Sequence, residues 1–142
     1  MSSELKRLLS ERKLLRIKAD RKLVLKEIQG ADYDLEKASR SLTSGDAKWA
    51  IVQAYYAMFH AARALLFSKN LREKSHRAPL AALRELFGNS IGLRLLDEFE
   101  EGMDLREEAD YSITYSEESA HELIRNAQRF ITEAKHILKI EA

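Results

Sequence analysis

Between residues 47 and 64 alanine recurs at Ala47, Ala50, Ala54, Ala57, Ala61 and Ala64, an unbroken seam at alternating steps of three and four. That spacing marks one face of a helix. A face carrying only methyl groups lets a second helix approach closely, so the seam demands a partner helix packed tightly along it. The remaining composition agrees, being rich in Ala, Leu, Glu, Lys and Arg, with one proline (Pro79) and five glycines. These are residues that lose little freedom in a helix. A chain of 142 residues can bury one substantial core but not two. The expected fold class is therefore all-α: an antiparallel bundle of four to five helices over residues 18–142, preceded by a helical extension over residues 1–17.

Val24, Ile28, Ala31, Leu35, Ala38 and Leu42 form a stripe that runs straight through Gly30. It predicts a helix from about Lys18 to Leu42, ended by Thr43, Ser44 and Gly45. Leu5, Leu8, Leu9, Leu14 and Leu15 do not continue that phase, hence a separate N-terminal element. Asp46 is a good N-cap for a helix reaching about Lys69, followed by a loop from Asn70 to Lys74. Ser75 caps a short helix with Pro79 in its first turn, where a missing N–H does least harm, and Gly88-Asn89 closes it. Leu96, Phe99 and Met103 define the next helix, ending between Tyr111 and Tyr115. Ser116 and two acids open the last, with the stripe Ala120, Leu123, Ile124, Ala127, Ile131, Ala134 and Leu138. No strand is expected. Amphipathic helices with short connections stack into a bundle.

Absences narrow the chemistry. There is no cysteine, which removes disulfides, thiolate nucleophiles and sulfur-ligated metals and fits a reducing cytoplasm. No apolar run is long enough to span a membrane, and the charged N-terminus is unlike a secretory signal. No glycine-rich phosphate loop, His-x-x-x-His pair or serine-nucleophile motif is present, so neither a metal nor a cofactor is called for. Charge is uneven: residues 1–29 hold nine Lys or Arg against four acids, whereas Asp97–Tyr111 holds eight acids against Arg106 alone. Any nucleic-acid contact must therefore be local rather than spread over the surface.

Two groups of residues stand out. Rotated from the alanine seam lies a stripe of Gln53, Tyr56, His60, Arg63 and Phe67, apolar bodies with mostly polar heads that suit an interface or a wet cleft wall. Farther on, continuing Leu96, Phe99 and Met103 by helical steps lands on Arg106 and Asp110. Two charges thus occupy apolar positions, four apart and able to pair along the helix. Burying such a pair costs several kcal/mol per ion before their attraction is counted. They either point into a cleft or interface or form a helix-end salt bridge at a domain edge. Tyr111 shares a site with Arg106 only if the helix ends near Asp110. His121 and His136 look like surface residues.

The runs Tyr33-x3-Lys37-Ala38, Gln53-Ala-Tyr-Tyr-Ala-Met-Phe-His60-Ala-Ala-Arg63-Ala-Leu-Leu66, Ser75-His76 and Arg106-x3-Asp110-Tyr111, in this order, resemble the HEPN domain, the nucleotide-binding family named from higher eukaryotes and prokaryotes. The resemblance covers roughly Asp32 to Leu138. It implies a helical bundle that forms a homodimer with two copies of the Arg-x3-Asp-Tyr motif across a cleft. Many members are the toxin half of a toxin–antitoxin-like pair with a minimal nucleotidyltransferase. Several are metal-independent ribonucleases with Arg-x(4–6)-His; here no histidine falls in that window and Tyr111 takes its first slot.

Three functions follow as expectations. In the first, a nucleotide- or RNA-binding dimer, Arg106 holds a phosphate, Asp110 orients it and Tyr111 stacks on a base, with Tyr56, His60 and His76 nearby. In the second, an endoribonuclease, Arg106, Asp110 and Tyr111 form the catalytic set and His60 or His76 moves protons. In the third, a helical adaptor, Arg106 and Asp110 lock the dimer.

Overall fold

The structure, a computed structural model, describes residues 2–111 and 115–141; the described side chains exclude those of Asp110 and Tyr111. Six helices and two short strands follow one another as α1 (Ser3–Ser10), β1 (Leu14–Arg16), α2 (Arg21–Thr43), α3 (Ala47–Phe67), β2 (Leu71–Glu73), α4 (Ala78–Ile91), α5 (Leu93–Tyr111) and α6 (Glu117–Leu138). Local chemistry sets most boundaries. Asp20, Asp46 and Ser116 accept from Leu23 N, Trp49 N and Ser119 N, each occupying an N–H that the helix leaves without a partner. Glu117 and Glu118 sit in the first turn of α6, where the helix dipole favours negative charge. Pro79 lies in the first turn of α4. That helix runs through Gly88 and Asn89, the expected stop, to Ile91; the break comes at Gly92, whose φ of 92° suits glycine.

α3 is the central element. It packs along α2 and also meets α6, α5 and α4. All six alanines of the seam are buried, none more than 4% exposed. Around them lie Ile51, Met58, Leu65 and Leu66, each with no exposed surface. Stacked and tilted rings join three helices, with Tyr55–Phe99 centroids 6.2 Å apart and Phe99–Phe130 5.2 Å. α2 contributes Val24, Ile28, Ala31 and Ala38 from its expected stripe, while Leu35 and Leu42 are half-buried. The seven apolar positions expected of α6 are all buried.

Among the described residues, the one departure from a purely helical fold is a two-stranded antiparallel ribbon. Leu14 pairs with Glu73, Leu15 with Arg72 and Arg16 with Leu71. The N-terminal segment is thus a helix followed by a strand, and part of the expected loop at 70–74 is its partner. Arg12 (φ 59°) and Asn70 (φ 57°) make the left-handed reversals that lead into the strands, a conformation Asn tolerates better than most residues. Leu5, Leu8 and Leu14 from this segment enter the main core.

Ala57 lies on the seam with no exposed surface. Ala57→Leu should destabilise the fold by about 1–3 kcal/mol through overpacking, read as a lowered melting temperature; an unchanged melting curve would place the seam outside the core.

Candidate functional site

The stripe beside the seam builds one wall of a cleft of about 420 Å³, with Tyr56, Phe59, His60 and Arg63 on one side. The other wall is the end of β2 and the segment after it, Glu73 to His76. Helical steps of three and four place the α3 residues on one face, and the ribbon brings the chain back across them. Phe67, the last residue of the expected stripe, is instead buried in the core. The His76 ring lies tilted against Phe59 at 5.6 Å and is otherwise exposed.

An ion-pair network underlies the cleft. His60 Nδ1 lies 2.6 Å from Glu27 Oε2, and its Nε2 lies 3.3 Å from Asp34 Oδ2. Arg63 Nε donates to Glu73 Oε1 at 2.6 Å, and its Nη1 lies 3.6 Å from Glu27 Oε1. Glu73 Oε2 is buried and has no hydrogen-bond partner among the described residues. The hydrogen bond to Glu27 raises the pKa of His60 above its ordinary value; burial opposes that rise, and the Glu27 and Asp34 charges add to it. Burial pushes the Glu27 carboxyl up, but the His60 bond and the Arg63 and His60 charges outweigh it and hold the group low. Burial raises the Asp34 carboxyl against the opposing His60 charge.

Arg106 stands next to this cleft on α5. Its Nη2 donates to Tyr56 Oη at 2.9 Å, and its guanidinium lies over the Tyr55 and Tyr56 rings at 5.8 and 5.4 Å. Leu96, Phe99 and Met103 along the same stripe are buried, whereas Arg106 is half-buried. A cation there keeps contact with water while two ring faces and a hydroxyl offset its partial desolvation. Burial pushes the Tyr55 phenol up to about 12, so its ring stays neutral beneath the cation.

The structure therefore brings together Tyr56, His60 and His76 in one cleft, with Arg106 joined to it through Tyr56. The side chains of Asp110 and Tyr111 lie outside the described residues, although α5 does extend to Tyr111. His121 and His136 are exposed. The residues that sequence reasoning missed are Glu27, Asp34 and Glu73, which together with Arg63 hold His60 and the cleft floor. A signal existed for two of them, because Glu27, Gly30 and Asp34 share one face of α2. Among the described residues no group of three His, Asp or Glu side chains is arranged to hold a metal ion, and no helix is long and apolar enough to cross a membrane.

The network carries a sign in pH. His60 has a raised folded value, so its contribution to stability is complete below its ordinary 6.5 and is lost as pH rises through the folded value. Glu27 has a lowered value, so its share is present above 4.5 and is lost as pH falls through the folded value. The difference in melting temperature between the native chain and His60→Gln should be greatest between these ordinary values and shrink on the alkaline side. A difference independent of pH would contradict the pairing.

Comparison with known proteins gives a consistent result. The family model described as HEPN domain matches residues 24–137. A protein of Archaeoglobus fulgidus named UPF0332 protein is 32% identical over 113 residues, covering 77% of this chain and 90% of its own length. Two proteins of Methanocaldococcus jannaschii each carry the words "Putative toxin" in their names. One is 28% identical over 130 residues, covering 89% of this chain and 88% of its own length. The other is 35% identical over 96 residues, covering 63% and 69%. With its helical bundle and its Tyr-Tyr-Ala-Met-Phe-His and Arg-x3-Asp-Tyr runs in matching order, the chain belongs to the HEPN domain family.

Proposed function

We propose that this chain is a toxin-like HEPN protein of the cytoplasm that binds a nucleotide or RNA as a homodimer, paired with a minimal nucleotidyltransferase. The observation that carries the binding reading is Arg106, held by the Tyr56 hydroxyl over two aromatic rings beside the cleft. A guanidinium held in this way is already ordered when a phosphate arrives. Tyr56 and His76 offer rings for an unstacked base. The toxin-like character is supported by the family and by the names of the relatives; the partner is what the family resemblance implies. Asp110 would orient Arg106, and Tyr111 would meet the base or ribose.

One observation favours the enzymatic reading as a second choice. His76 is exposed at the cleft edge, steadied by Phe59, where a proton-moving group for endoribonuclease chemistry would stand, with Arg106 stabilising the phosphorane charge. His60 suits that task less well, because both ring nitrogens already face carboxylates.

Sedimentation of the chain with a fluorescent single-stranded RNA and a metal chelator tests this reading. The native chain should sediment at twice its chain mass and carry the RNA. Arg106→Ala should remain a dimer with little change in melting temperature and lose the RNA, and Arg106→Lys, which keeps the charge without the fork, should bind weakly. Loss of roughly 3–5 kcal/mol of stability in Arg106→Ala, with no RNA carried by the native chain, would make Arg106 a structural ion. RNA recovered shortened would select the ribonuclease reading.

A further inference from the structure

The ribbon does more than tie down the N-terminal segment. Paired residues of an antiparallel ribbon share a face, and neighbours along a strand alternate. Leu14, Leu71 and Glu73 are buried, which defines the inner face. The ladder continues one step, with Lys74 N donating to Lys13 O at 2.8 Å. Lys13, Arg72 and Lys74 therefore share the outer face, and all three are exposed. The only acid on these strands, Glu73, is turned inward onto Arg63, so it leaves the outer face uncompensated. Lys13 has Glu11 at 3.2 Å; Arg72 and Lys74 form no ion pair among the described residues.

Lys74 also belongs to the cleft wall, so the cationic face begins where the cleft ends. On the other side the charge is neutralised: Arg77 lies 3.1 Å from Asp104 and 3.3 Å from Glu107. Among the described residues, a polyanion leaving the cleft thus meets unpaired cations on the ribbon side and a paired one at Arg77. Arg72 and Lys74, two residues apart on a strand, are separated by about 6.6 Å, close to the phosphate repeat of an extended nucleic-acid strand. The cleft itself holds a base only if that base is unstacked, which favours single strands over duplex.

We propose that the outer face of the ribbon is a phosphate track continuous with the cleft, so that the ligand is a single-stranded oligonucleotide rather than a mononucleotide. This rests on the nucleotide-binding reading of the cleft and names the ligand class for it. One of its three cations, Lys13, lies just before β1 and so before the stretch matched by the family model.

The test compares two probes, a single-stranded RNA of about eight nucleotides and adenosine monophosphate, by titration at several salt concentrations. In the double variant Lys13→Gln, Arg72→Gln, which spares the cleft-wall Lys74, the RNA affinity should fall roughly tenfold at low salt. Its logarithmic salt slope should become shallower by about 1.4, two contacts at about 0.7 each. Adenosine monophosphate binding should be unchanged, and the charge-keeping pair Lys13→Arg, Arg72→Lys should restore the RNA affinity. Arg106→Ala should weaken both probes. If the glutamine pair leaves RNA affinity and slope unchanged while Arg106→Ala still weakens both probes, the track is wrong and the cleft stands. Equal weakening of both probes by the glutamine pair would also overturn the track, and a native chain that binds neither probe overturns both.

Discussion

The close approach of α2 to α3 governs where the rest of the molecule can be. On α3 the seam offers only methyl groups, and on α2 Gly30 faces the His60 ring so closely that an added Cβ would meet it at 3.3 Å. Interior packing at this density leaves little slack. Because α2 is drawn in this far, Glu27 and Asp34 reach His60 on either side, and Glu27 also reaches Arg63. The polar stripe of α3 is thereby braced along one edge, and the other edge is left to face the cleft.

α3 thus does two jobs at different angles around its axis. Its apolar faces hold α2, α5 and α6 through Ala57, Tyr55 and Met58, and Gly102 of α5 lies near enough that a Cβ there would meet Leu123 at 3.1 Å. Its amphipathic face holds charges that a closed core would not accept. Arg106 joins the two regions, since α5 is fixed by Leu96, Phe99 and Met103 in the core and so delivers the guanidinium to Tyr56. A cation at the margin of a packed bundle is tolerated because its contacts include a hydroxyl and two ring faces.

Much of this was legible in the residues. The periodicities of α2, α3 and α6, the caps at Asp46 and Ser116, and the misfit of Arg106 in an apolar stripe all follow from spacing and side-chain chemistry. The ribbon was not, because strands of three residues carry too little alternation to be told from a loop, and their pairing depends on two distant segments. The end of α4 was missed because glycine is tolerated inside a helix at modest cost, so Gly88 did not break it and Gly92 did. The partners of His60 escaped because ion pairs between helices depend on the register of packing, which spacing along one helix does not contain.

The central claim is that Tyr56 and Arg106 act as one phosphate-binding unit, and a double-mutant cycle on RNA affinity tests it most directly. Tyr56→Phe removes only the hydroxyl that holds the guanidinium. It should weaken binding in the native background and have no further effect in Arg106→Ala, a coupling of about 0.5–3 kcal/mol. Strictly additive losses from the two substitutions would contradict the claim.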